Sequence, residues 1–273
     1  MALLVLPAAL VTLVLFGVPM LILLRISLNH FSPTQLMEEA LTLENYQRAF
    51  ADPYYQEVMA TTLTVALACT VISLILGFPA AYWLGRMDSR WKSTLTILTL
   101  FPLLVGNVVR SAGWMALIGP NGLINAAGRL FGIPPLKMMY TSQAVVVGIV
   151  AVVLPFMILT LASVIEGIPR QAEEAASSLG ARPFTIFRRI LLPQAMPGVA
   201  AGTSLVFILC MNAFATPILL GGPRFAMMAP AVYDQFMRGN NWPFGAALAF
   251  ILLVTTLGIT IAVGDFLTRP NRH

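Results

Sequence analysis

Glu173-Glu174-Ala175-Ala176-Ser177-Ser178-Leu179-Gly180-Ala181-Arg182-Pro183, continuing through Phe184 to Ile190-Leu191-Leu192-Pro193, is the stretch on which the reading of this chain turns. Pro169, just upstream, suits the first turn of a short helix, where its missing N–H costs nothing. Ala172, Ala175, Ala176 and Leu179 recur at i, i+3, i+4 and i+7, which predicts one small apolar face; Glu173, Glu174, Ser177 and Ser178 fall elsewhere on the wheel. Gly180 can end such a helix in the left-handed conformation, and Pro183 can start the next, with Phe184, Phe187 and Leu191 on a common stripe. Periodicity alone serves two readings equally: a helix packed on the underside of its own lipid-embedded bundle, or one fitted into a groove on another protein.

Outward from this stretch the sequence turns apolar on both sides. The 273 residues are 58% hydrophobic and 10% charged, with a mean hydropathy of +0.85. Soluble domains carry about a quarter of their residues as charges, so an ordinary soluble fold is excluded. Runs of about 20 apolar residues are long enough to cross ~30 Å of hydrocarbon as helices. They predict an all-α, polytopic membrane bundle with six transmembrane helices, at roughly 3–26, 58–84, 93–114, 141–165, 195–220 and 244–267. The first run is too long for a cleaved signal peptide and has no positive region before it. Cys69 and Cys210 both lie inside apolar runs, so no disulfide framework is expected.

The basic residues orient the bundle. Arg86, Arg90, Lys92, Arg170, Arg182, Arg188, Arg189, Arg269 and Arg272 crowd short segments on one side. Arg25, Arg48, Arg110, Arg129, Lys137, Arg224 and Arg238 are spread over about twice that length on the other. The dense set belongs in the cytoplasm, which predicts both termini inside. Pro19, Pro79, Pro102, Pro155 and Pro217 fall in or near the first five spans. Any one of them is ordinary in a membrane helix, but five favour a bundle that moves or encloses a cavity. Gly198 and Gly202 form a G-x-x-x-G suited to close helix contact, for which packing within the chain suffices.

Several chemistries are missing. Lys92 follows Trp91 and Lys137 precedes Met138, so neither lysine fits a phosphate-cradling Walker A loop. His30 and His273 are the only histidines, which excludes an H-E-x-x-H metalloprotease. No G-x-S-x-G appears, no acid sits mid-span, and catalysis is not expected. The span centres carry no formal charge, which argues against a proton relay. Asp265 lies near the end of the sixth span, and Arg110, near the end of the third, could snorkel to the interface.

Glu174-Ala175-Ala176, three residues, Gly180, nine residues, then Ile190-x-Leu192-Pro193 resembles the EAA motif of binding-protein-dependent ABC transporter permeases. The resemblance continues in Leu43-Glu44-Asn45-Tyr46 with Asp52-Pro53-Tyr54. It continues further in Asn121-Gly122-Leu123-Ile124-Asn125, Leu154-Pro155-Phe156-Met157, Thr216-Pro217-x-Leu219-Leu220-Gly221-Gly222 and Trp242-Pro243-Phe244-Gly245-Ala246-Ala247, which look like the spermidine/putrescine branch. It implies the type I importer permease fold over a single domain, 1–273, with a cytoplasmic coupling loop at about 166–193. In that family the loop docks on a separate ATP-binding subunit. The implied contacts are Glu173, Glu174, Ala175, Ala176, Gly180, Ala181, Arg182, Pro183 and Phe184.

The resemblance also implies the partners: an ATP-binding cassette ATPase dimer, a second permease (a heterodimer before a homodimer), a periplasmic solute-binding protein and membrane lipid, but no nucleic acid. ATP and Mg would sit on the ATPase, leaving this chain without a cofactor. The implied cargo is polyamine-like, with an amino acid derivative, opine or phosphonate as the alternative; a stand-alone secondary carrier is the remaining reading. Two departures bear on cargo. Ala213 and Asn241 stand where members of that branch often carry acids, which weakens the case for a polycation path. Asn107, Arg110, Trp114, Asn212 and Phe214 are the residues expected to line the path.

Overall fold

The computed structural model describes residues 2–33 and 36–268, with side chains described from 10 to 266 within those limits. Arg269, Arg272 and His273, and with them the reading of the chain end, lie outside the described residues. The elements are helical throughout: α1 (Ala2–Ser27), α2 (Glu44–Ala51), α3 (Pro53–Arg86), α4 (Trp91–Leu104), α5 (Asn107–Ile118), α6 (Leu123–Leu130), α7 (Ser142–Glu166), α8 (Arg170–Ser178), α9 (Pro183–Ile186), α10 (Leu192–Met211), α11 (Met228–Met237) and α12 (Trp242–Thr268). Among the described residues the sole β pairing is an isolated antiparallel bridge between His30 and Glu38.

Five of the predicted spans are helices long and apolar enough to cross a membrane: Leu10–Ser27, Pro53–Arg86, Ser142–Glu166, Pro183–Met211 and Trp242–Phe266. The third span is not one straight helix. It breaks between α4 and α5, and the two limbs diverge by 93°. Pro102 lacks the N–H that would carry the ladder through the last turn of α4, and Val105 and Gly106 are both extended, at ψ 127 and 145°.

The fifth span, expected to run to 220, stops at Met211. There both the backbone N–H (3.2 Å) and the side-chain amide (2.9 Å) of Asn212 donate to the Ile208 carbonyl. The chain then resumes as a π-helical turn, Pro217–Gly221. A second π turn, Phe187–Leu191, joins α9 to α10, so that the helix is continuous from Pro183. Pro193, just beyond it, has no donor to return.

The chain falls into two compact units, Met1–Thr61 with Met227–Thr255, and Thr62–Ala226 with Thr256–His273. In the first, Asn45 of α2 donates to the carbonyls of Ser27 (2.9 Å) and Asn29 (2.8 Å), satisfying groups that the end of α1 leaves open. The Tyr55 ring meets Phe244 edge-on at 4.9 Å, and Arg48 lies 4.6 Å over the same ring. Asn241 is buried and caps α12: its Oδ1 accepts from the Phe244 N–H at 3.1 Å.

In the second unit α7 and α10 pack closely. A Cβ on Gly198 would stand 2.8 Å from Val164 Cβ, and one on Gly202 would stand 2.9 Å from Met157 Sδ. The G-x-x-x-G is therefore occupied by contact within the chain. Along α1, by contrast, Leu13, Leu15 and Phe16 are exposed, as residues facing hydrocarbon are.

Candidate functional site

Pro169 sits at the N-cap of α8 and Pro183 at the first position of α9. Between them Gly180 has φ +78°. Its N–H bonds the Ser177 carbonyl at 2.9 Å and the Ala181 N–H bonds that of Ala176 at 3.0 Å. Those two bonds are a Schellman ending, which satisfies the last carbonyls of α8 and turns the chain toward α9.

The helix does not present one alanine face. Ala172, Glu173 and Ala176 are half-buried, whereas Glu174, Ala175, Leu179 and Gly180 are exposed, as are Arg182, Pro183 and Phe184 beyond them. Leu179 is 88% exposed and Phe184 71%. Two large apolar side chains are thus held out on a well-capped turn. Of the predicted coupling residues, Glu174, Ala175, Gly180, Arg182, Pro183 and Phe184 lie on this outward surface, and Glu173, Ala176 and Ala181 are turned partly inward.

Glu173 is the anchor. One carboxylate oxygen pairs with Arg86 at the end of α3, the side chains being 13% and 16% exposed. The other accepts from the Tyr82 hydroxyl at 2.9 Å. Arg86 also donates to the Ile168 carbonyl at 2.8 Å. Alongside, Arg170 bonds Asp88 (2.8 Å) and the Arg86 carbonyl (2.9 Å), and Lys92 bonds Glu166 at 2.7 Å. The Arg170 guanidinium holds the Asp88 carboxyl below the usual carboxylate range, and Asp88 raises Arg170 in turn.

These contacts tie the α7–α8 connection to the α3–α4 turn, more than seventy residues away in sequence. Sequence reasoning missed them. The charges at the span ends were visible, but periodicity does not say which of them meet. Above the brace, Phe187 meets Phe78 of α3 edge-on at 5.3 Å and stacks on Phe184 at 6.5 Å. The expected stripe of Phe184, Phe187 and Leu191 is present, with Leu191 buried at its base.

A second feature is a cavity of about 600 Å³ in the same unit, walled by α5, α7 and the break between α10 and the Pro217–Gly221 π turn. It gathers Asn107, Arg110, Asn212 and Phe214, four of the five expected path residues, together with Ala213 and Thr216. Trp114, one turn beyond Arg110 on α5, is half-buried and does not line it. Ser111 of α5 and Thr216 are hydrogen-bonded at 3.1 Å, which fixes the broken span against the broken end of α10. Arg110 lies in the wall of this cavity. Its Nη2 donates to Asn107 Oδ1, and its Nε and Nη1 are buried. Of the two positions that departed from the family pattern, Ala213 lines this cavity and Asn241 is held by its own helix start. No group of three or more His, Cys, Asp or Glu suited to a metal ion occurs among the described residues.

Residues 73–268 match the family described as the binding-protein-dependent transport system inner membrane component. The chain is 33% identical to the spermidine/putrescine transport system permease protein PotB of Haemophilus influenzae over 87% of its own length and 83% of that protein. It is equally 33% identical to PotB of Escherichia coli K12, over 90% and 89%. Among solved structures it superposes on a bacterial ABC transporter that imports the acidic polysaccharide alginate. The TM-score is 0.76 at 17% identity, covering 99% of this chain and 96% of that one, a likeness of fold. The capped helix held out beneath a helical bundle, with the match over most of its length, places this chain in the binding-protein-dependent transport system inner membrane component family, as a permease of an ABC importer.

Proposed function

We propose that this chain is a passive path-forming subunit that takes its energy from a separate ATP-binding cassette dimer through α8 and the turn at Gly180. The observation that carries this is the division of α8. Glu173 is locked to Arg86 and Tyr82, while Glu174, Ala175, Leu179 and Phe184 are held outward on a rigid ending. Force applied to the outward face reaches α3 and α7 through the ion pairs, without a flexible link between. A rocking of those helices that opens the cavity to one side and then the other is the mechanism this supports.

A second permease subunit, different in sequence, completes the path, and a loaded periplasmic binding protein delivers the cargo. ATP and Mg belong to the ATPase; this chain carries no cofactor and no catalytic residue. Asn107, Arg110, Asn212 and Phe214 line the path. The cargo is a small, water-soluble, nitrogen-containing solute of the polyamine-like class, in keeping with the names of the 33% identical relatives. Both termini and the α3–α4 turn face the cytoplasm of a bacterial inner membrane, which the density of Arg and Lys there supports.

Reconstitution in proteoliposomes tests the reading. Uptake is expected only with ATP, the ATPase, the second permease and the binding protein together, and the purified chain alone is expected to hydrolyse none. Turnover by this polypeptide alone would overturn it. For orientation, Arg238→Cys is expected to label from outside intact cells and Ser178→Cys is not, in a background without Cys69 and Cys210. The reverse pattern would refute the topology.

A further inference from the structure

The cavity beside α5 has one formal charge in its lining, and it is positive. Two of its neutral polar groups are already engaged: Asn212 Nδ2 by the Ile208 carbonyl at 2.9 Å, and Thr216 Oγ1 by Ser111 at 3.1 Å. Arg110 meets a single neutral acceptor, Asn107 Oδ1, through Nη2. Its Nε and Nη1 are buried with no hydrogen-bond partner among the described residues, and no acid lines the cavity with it. A guanidinium cannot shed its proton to escape this, and unmatched buried donors of a cation are costly. A cavity of about 600 Å³ leaves room for the group that would match them.

An anionic oxygen pair is the chemistry that satisfies an arginine so placed. A polycation entering the same space would meet repulsion with no carboxylate to offset it. The rest of the lining offers an ammonium group neutral contacts, among them the rings of Phe156 and Phe214.

We propose that Arg110 is the cargo-contacting cation of this path and receives a carboxylate, so that the transported solute is a linear amine ending in a carboxylate, an ω-amino acid, rather than a polyamine. This rests on the importer reading above and replaces its polyamine-like cargo with an amine that carries a carboxylate. Putrescine and 4-aminobutyrate share a four-carbon chain and differ at one end, which makes them the two probes.

ATP-driven uptake of both, labelled, is measured in proteoliposomes holding the intact importer with its binding protein. The wild type is expected to favour 4-aminobutyrate by about tenfold or more. Arg110→Met should lose that uptake by at least about tenfold with the complex still assembled by pull-down, and Arg110→Lys should retain part of it. Ala213→Asp, which adds a carboxylate to the same lining, should move preference toward putrescine. Preferred putrescine uptake that is indifferent to residue 110 would overturn this inference and leave the importer reading standing. Equal loss of both solutes in Arg110→Met, or loss of the second permease from the complex, would assign the missing carboxylate to that subunit and also overturn it. Uptake of either solute without ATP would overturn the importer reading instead.

Discussion

Beneath α8 the cations have partners of opposite charge: Arg86 with Glu173, Arg170 with Asp88 and Lys92 with Glu166. In the cavity beside α5, Arg110 has an amide oxygen and nothing of formal charge among the described residues. Both places join elements distant in sequence and both hold a buried arginine Nε without a partner, yet the formal charges are matched in one and unmatched in the other. A closed set of pairs fixes one element to another, which suits a part that passes motion on. An unmatched guanidinium keeps its interaction for whatever enters, which suits a part that meets cargo.

The comparison breaks most severely at Gly180. Valine there must adopt φ +78° with a β-branched side chain, so the Schellman ending opens and Leu179 and Phe184 lose their placement. Gly180→Val is expected to cut uptake by about tenfold or more while the protein stays in the membrane, since nothing packs within 4 Å of that position. Normal uptake with normal subunit pull-down would show that the turn does not couple.

Next in size is the contrast between adjacent glutamates. Glu173→Gln leaves Arg86 facing an amide in a mostly buried pair and should destabilise the chain by about 2–3 kcal/mol in thermal unfolding in detergent. Glu174→Lys, on the exposed face, should leave melting unchanged and weaken ATPase pull-down. If the two variants exchange behaviours, the assignment of anchor and docking residue is reversed.

Smaller still is the contrast between Asn241→Asp and Ala213→Asp. Asp keeps the capping oxygen, so the first should leave transport by the folded protein unchanged, with a loss of thermal stability from the buried carboxylate. The second, in the cavity, should change transport. A large effect at 241 with none at 213 would move the path away from the cavity.

The smallest effect is with pH. Asp88 is held below its ordinary range by its hydrogen bond to Arg170. Its contribution is complete above the ordinary carboxylate value and is lost only as pH falls through the lowered one. A spin label at position 179 should therefore keep its mobility from pH 7 down to about 5 and loosen only at stronger acidity. Loosening on mild acidification would exclude this pair as a brace.

Much of this was legible in the sequence. Apolar runs located the spans, because a helix in lipid must be apolar over its whole length. Pro169, Gly180 and Pro183 located the ends of α8 and the start of α9, because each restricts its own backbone. The breaks were not legible. Pro102 and Pro217 announced kinks, but the 93° divergence of Trp91–Leu104 from Asn107–Leu130 begins where Val105 and Gly106 leave the helical conformation, which hydropathy does not register. The inward turn of Ala172, Glu173 and Ala176 depended on Tyr82 and Arg86 arriving from a helix about ninety residues earlier. Asn241 read as a missing acid in a path because its neighbours, not its identity, make it a cap.

Cross-linking from the tip of α8 tests the central claim most directly. In the assembled importer, without Cys69 and Cys210, Leu179→Cys carries an exposed thiol on the outward face and Ala172→Cys a half-buried one on the inward face. A short bifunctional reagent is expected to join position 179 to the ATPase subunit, with a yield that changes when ATP is added, and to leave position 172 unjoined. Cross-linking of 172 in preference to 179, or a product at 179 containing no ATPase, would contradict the claim that α8 receives the driving force.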